Sequence, residues 1–140
     1  MLFSIFKTER SKLYQIDNLA YDYVDTGKYK PRESIITLAN AMDVGNPSNF
    51  ARMEDFFGFT WNNMKEQIVG LSYTDKETEE GMKQVKGEYN YVIDPHGAVG
   101  YNALDEYQQA NPKTQGIILE TAHPSKFLPD VERVLGEAPF

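Results

Sequence analysis

Residues 91–101 read Tyr91-Val92-Ile93-Asp94-Pro95-His96-Gly97-Ala98-Val99-Gly100-Tyr101. Aromatic and β-branched side chains suit a pleated, half-buried surface, so Tyr91–Ile93 is expected as a strand. The next two residues switch the signal. An aspartate can accept a hydrogen bond from the first helical N–H groups, and a proline at the first helical position gives up an N–H that would have no partner. A helix is therefore expected from Asp94-Pro95 through Ala103 to about Tyr107. A strand that hands over directly to a helix is the unit of a layered α/β fold.

Working outward, the same alternation recurs on both sides. Gly116-Ile117-Ile118-Leu119 reads as a strand, Thr121-Ala122-His123-Pro124 as a turn, and the closing helix gathers Val131, Val134 and Leu135 before stopping at Gly136. Upstream, Thr74 and Glu77 have capping-box spacing ahead of a helix with Thr78, Met82 and Val85 on one side. A helix over Asn63–Leu71 precedes it. Asn46 as cap and Pro47 as first residue predict a further helix with Phe50, Met53 and Phe57 on one face. Ser34–Ala39 is a β-branched run read as a buried strand, and Leu13–Val24 is compatible with a helix ending near Gly27. The expected fold class is an α/β layered domain with a mostly parallel sheet flanked by helices. Residues 1–26 are set apart as an N-terminal extension and helix, and 27–140 as the domain proper.

Composition narrows the function. The 140 residues give room for one domain with a moderate core, and 41% hydrophobic with 25% charged residues is an ordinary globular balance. A net charge of −7 without any basic stripe argues against a nucleic-acid partner, because binding to phosphates draws on clustered Lys and Arg. Cysteine is absent, which removes disulfides and thiolate catalysis. The apolar opening Met1–Phe6 is too short for a signal-peptide core or a bilayer span, so no membrane partner and a cytoplasmic setting are expected.

In open α/β sheets ligands sit beyond the carboxyl ends of the strands. Three segments hold that position. Asn40-Ala41-Met42-Asp43-Val44-Gly45-Asn46-Pro47-Ser48-Asn49 offers small residues and amides at a helix N-terminus, suited either to an anion or to plain capping. Asp94–Tyr101 carries Gly97 and Gly100 in a helix, where glycine costs about 1 kcal/mol relative to alanine. Close approach of either a flat ligand or a packed strand accounts for them. Thr121-Ala122-His123-Pro124-Ser125-Lys126-Phe127 ends a strand with a hydroxyl that can meet a ligand nitrogen or cap its own turn. His96, His123 and Asp94 have the residue types of a two-histidine, one-carboxylate metal site, but nothing in the chain spacing brings them together, so no metal is expected. No nucleophile-elbow motif supports a hydrolase.

Taken together, Thr37–Asn49, Asp94–Tyr101 and Thr121–Phe127 resemble three signature stretches of threonine synthase, in the family's order and with similar spacing. The resemblance runs from about Thr26 to Gly136 and is to the family's C-terminal portion. It implies a fold type II enzyme, tryptophan-synthase-β-like, that uses pyridoxal phosphate (PLP) to convert O-phosphohomoserine and water to threonine and phosphate. It further implies cofactor contacts from Thr121, whose hydroxyl would face the pyridine nitrogen, and from Asp94, His96 and Gly97. Asn40, Ala41, Asn46, Pro47 and Ser48 would line the substrate side. The family's Schiff-base lysine and its phosphate-binding loop precede the matching region, and no lysine here has that sequence setting. The chain alone is therefore expected to lack activity, with the missing N-terminal half as a possible partner. Phe3, Phe6, Phe57, Phe59 and Trp61 are candidates for an exposed apolar face through which it would self-associate.

Overall fold

The structure, a computed structural model, describes residues 3–6, 12–15, 18–31, 33–120 and 122–136. Thr121 lies outside the described residues, as do the side chains of Phe3 and Phe6.

The elements run β1 (Phe3–Phe6), β2 (Lys12–Gln15), α1 (Asn18–Thr26), a 3₁₀ turn at Asn40–Met42, α2 (Phe50–Phe56), α3 (Trp61–Lys65), β3 (Ile68–Gly70), α4 (Asp75–Tyr89), α5 (Pro95–Ala110), a 3₁₀ turn at Pro124–Phe127, and α6 (Leu128–Leu135). Helices dominate. The sheet is short and mixed, with order β1-β2-β3: β1 pairs antiparallel with β2, and β2 pairs parallel with β3.

The local signals that carry their own geometry are realised. Thr74 caps α4 with both arms of the box made: Thr74 Oγ1 accepts from Glu77 N at 3.3 Å, and Thr74 N donates to Glu77 Oε2 at 2.7 Å. The expected face of that helix, Thr78, Met82 and Val85, is buried. Asp94 caps α5 with Pro95 at its start, and α6 stops at Gly136 in the left-handed conformation (φ 75°). Gly27 ends α1 in the same way, at φ 70°.

Other expectations are corrected. Leu13–Gln15 belong to β2, so the first helix starts only at Asn18. Asn46 is not the cap of the next helix. Its side chain accepts from Tyr29 Oη at 2.8 Å, and α2 begins at Phe50, after a turn in which Phe50 N donates to Pro47 O at 3.1 Å. The span read as a helix from Asn63 to Leu71 divides into the end of α3 and strand β3. Ser34–Ala39, Tyr91–Ile93 and Gly116–Leu119 form no ladder with any described residue. A strand is stabilised by its neighbour's N–H and C=O groups, and these runs have no such neighbour here. Ile35 and Ile36 are accordingly exposed rather than buried.

Burial divides into two main clusters. Tyr23, Val24, Phe50, Met53, Phe57, Met64 and Ile68 join α1, α2, α3 and β3, with Tyr29 and Trp61 packed on their edge. Phe57 is therefore core, not exposed face. Trp61 is anchored as well, donating from Nε1 to the Tyr23 and Val24 carbonyls at 3.0 and 3.1 Å. Phe59 alone of the described members of that group is well exposed. The second cluster, Met82, Val85, Ile93, Ala98, Val131 and Val134, lies between α4, α5 and α6. This second cluster fixes the start of α5, on which the site depends.

Candidate functional site

Asp94 is fully buried at the head of α5. Its two carboxylate oxygens serve different donors: Oδ1 accepts from Gly97 N at 2.8 Å, and Oδ2 lies 2.7 Å from His96 Nδ1. The first contact is the cap, which satisfies an orphan amide of the helix. The second fixes the imidazole. On its far side, His96 Nε2 accepts from Ala41 N at 3.2 Å. An accepting Nε2 and a donating Nδ1 describe the neutral Nδ1–H tautomer. The ring thus ties the 3₁₀ turn at Asn40–Met42 to the start of α5, and Phe127 packs against it with ring centroids 4.7 Å apart. Parts of all three segments singled out in the sequence meet at this histidine.

The 34–46 stretch is organised by polar contacts rather than by a sheet. Asp43 accepts from Thr37 N (2.6 Å) and Thr37 Oγ1 (2.7 Å), Ser34 Oγ accepts from Gly45 N (3.1 Å), and Asp75 Oδ1 accepts from Leu38 N (3.0 Å). These bonds present Asn40 and Ala41 at the surface beside His96. Asn46, Pro47 and Ser48 stand at the other end of the stretch, where Asn46 holds Tyr29 and Pro47 leads into α2.

The two glycines of the second segment are packing positions within this chain. A Cβ at Gly97 would collide with Glu120 Oε2 and stand 2.6 Å from Ile93 Cγ1, and one at Gly100 would lie 3.2 Å from Ile118 Cγ2. The 116–120 segment therefore lies directly along α5. Thr121 follows it in the chain but is outside the described residues, so its contacts are not assigned.

Glu120 is the residue that the sequence reading missed. Its carboxyl hydrogen-bonds to Asp94. Burial, the bond to Asp94 and the charge of Asp94 push it up to about 8. For Asp94, burial pulls upward, but the hydrogen bonds from His96, Glu120 and Gly97 N outweigh it, and the group is held below its ordinary range. Two carboxyls in contact cannot both ionise cheaply, so one proton is shared and resides on Glu120 at neutral pH. A lone acid in an otherwise apolar run, Gly116–Leu119, was the available signal.

His123 bonds Ser125, with Nδ1 2.8 Å from Ser125 Oγ, and caps the 3₁₀ turn Pro124–Phe127. Lys126 is exposed. Among the described residues no group of three His, Cys, Asp or Glu side chains is arranged to hold a metal ion, and no helix is long and apolar enough to cross a membrane.

Comparison with known proteins points one way. The family described as "Threonine synthase, C-terminal" matches residues 97–140. The chain is 40% identical to the threonine synthase of Escherichia coli over 116 residues, 82% of this chain, and 38% identical to that of Haemophilus influenzae over 114 residues, 81% of it. It spans only 26% of the length of either relative. The crystal structure of the Escherichia coli enzyme superposes with a TM-score of 0.78 at 36% identity, covering 89% of this chain and 28% of that one. The PLP-bound threonine synthase of Brucella melitensis gives 0.73 at 23% identity, covering 89% of this chain and 32% of that one, which supports the shared fold. The helices and the short sheet are thus a portion of an α/β fold.

Proposed function

We propose, from a chain that corresponds to the C-terminal portion of threonine synthase, that it supplies one wall of a PLP-dependent site for converting O-phosphohomoserine and water to threonine and phosphate. Residues 27–140 make up that portion, and 1–26 are an extension whose Lys12–Tyr14 pair with Ile68–Gly70 of it. The observation that carries the reading is the meeting of three separate segments at His96, through Ala41, Asp94 and Phe127.

The residues present fit the ring side of such a cofactor and not its anchoring side. A half-buried neutral acid, Glu120, immediately precedes the threonine that the family resemblance places at the pyridine nitrogen, so no ionised carboxylate is placed by Glu120 to force protonation there. Every ring nitrogen of His96 and both oxygens of Asp94 are engaged inside the chain. Their contribution is to hold the wall in shape, with Gly97 as the close-packed floor beside them. Asn40 and Ala41 face solvent next to that wall and would line the substrate side; Asn46, Pro47 and Ser48 extend the lining along the loop. The Thr121 hydroxyl would orient the ring. When bound, the cofactor supplies an electron sink for carbanion chemistry.

A covalent lysine and a phosphate loop would come from an N-terminal portion, the partner this reading requires. The 140 residues alone are then inactive: after addition of PLP and borohydride, mass spectrometry should find no specifically modified lysine. The decisive experiment grafts residues 27–136 in place of the matching part of the Escherichia coli enzyme. A folded chimera that releases phosphate from O-phosphohomoserine supports the assignment. A folded, PLP-loaded chimera without turnover overturns it and favours a non-catalytic interaction module.

A further inference from the structure

We propose that Glu120 is a positioning residue: its carboxyl bonds Asp94 through one shared proton and clamps the 116–120 segment onto the start of α5.

The geometry is specific. Asp94 is fully buried and already accepts two hydrogen bonds, from Gly97 N at 2.8 Å and from His96 Nδ1 at 2.7 Å. Both favour its ionised form. A second carboxyl can join it only by donating, so the proton resides on Glu120. Glu120 Oε2 occupies the space a side chain at position 97 would fill, so the contact exists only because position 97 is glycine. Oε1 is buried with no partner among the described residues. A neutral oxygen left so costs far less than a charged one, which again requires the acid form. Among the described residues the titratable groups facing Glu120 are Asp94 and, behind it, His96; Phe127, packed on His96 from the following turn, is uncharged.

The clamp stands on these contacts alone, whereas its use in orienting Thr121 toward a cofactor rests on the function proposed above. Ionising Glu120 places a second negative charge against Asp94 and releases the segment. The group is raised from its ordinary value of 4.5 to about 8, so its contribution to stability is complete below 4.5 and is lost as pH rises toward 8.

The test uses the 140-residue chain labelled with ¹³C at glutamate side-chain carboxyls, with Glu120 assigned through Glu120→Gln or Glu120→Asp. The Glu120 carboxyl should titrate near 8. Glu120→Gln, which still donates to Asp94, should keep the melting temperature of the parent at pH 5 and remove its fall between pH 5 and 8. Glu120→Ala should lower the melting temperature already at pH 5. An ordinary titration of Glu120, or a Gln variant that melts with the Ala variant at pH 5, overturns the clamp. An inactive chimera beside a carboxyl that titrates near 8 would leave the clamp intact and remove only its catalytic use.

Discussion

Adding one carbon at position 97 sets it against Glu120 Oε2 and Ile93, which have little room to retreat because Asp94 holds one and the core around Met82 holds the other. Overpacking of this kind costs typically 1–3 kcal/mol, against a helix-propensity gain of at most about 1 kcal/mol. Gly97→Ala should therefore destabilise the chain by about 1–2 kcal/mol net in urea denaturation, and should cost less when combined with Glu120→Ala, which vacates the space. Additive effects in that double-mutant cycle would show that the two residues do not touch. The same pair marks how far single residues were legible. Asp94 was readable as a cap because its partner, Gly97 N, is three residues away. Glu120 was not, because its role depends on which helix the 116–120 segment lies along, and no pattern within the segment states that. The resemblance implies His96 as a cofactor contact, and its neutral tautomer emerges only from the Ala41 amide, 55 positions away.

At the scale of elements, the sequence was legible wherever a motif closes on itself. The Thr74–Glu77 box is complete, and α4 follows it for 15 residues with its expected face inward. Thr74→Ala removes the side-chain acceptor for Glu77 N and should cost about 1 kcal/mol, visible as a lower melting temperature, with Thr74→Ser nearly neutral. An unchanged Ala variant would mean that tertiary packing on α5, not the cap, determines where α4 starts. Asn46-Pro47 shows the converse. The dipeptide has a helix-start pattern, but Tyr29 claims the Asn46 side chain and the helix waits until Phe50. Strands were the least legible elements. Ser34–Ala39, Tyr91–Ile93 and Gly116–Leu119 have strand-like composition without a strand, because composition describes a surface that fits a sheet and cannot supply the neighbouring strand. Conversely β3, at Ile68–Gly70, was hidden inside a helical pattern and is a strand only because β2 lies alongside it.

At the scale of the molecule, the three runs without a ladder carry five of the nine large apolar side chains exposed among the described residues. Ile35 and Ile36 belong to the first run, Tyr91 to the second, and Ile117 and Leu119 to the third, and all five are exposed. A chain that matches only about a quarter of its relatives' length should show apolar surface where the remainder of the fold would lie. Of the described residues expected on such a face, Phe59 is exposed, whereas Phe57 and Trp61 are engaged in the first core cluster. Ile36, 90% exposed, and Ile117, 59% exposed, replace them as the residues to change. Free apolar area in segments that have no sheet partner favours pairing between copies. Sedimentation velocity of the isolated chain should therefore show concentration-dependent association. Ile36→Ser with Ile117→Ser should shift the equilibrium toward monomer by about tenfold, because burial of two such side chains contributes on the order of 1.5–3 kcal/mol each when complete and these are only partly covered in a dimer. Since neither residue belongs to a core cluster, the melting temperature should change little. A parent chain that stays monomeric at high concentration would mean that these runs are tolerated in water, and the apolar face would then carry no associative role.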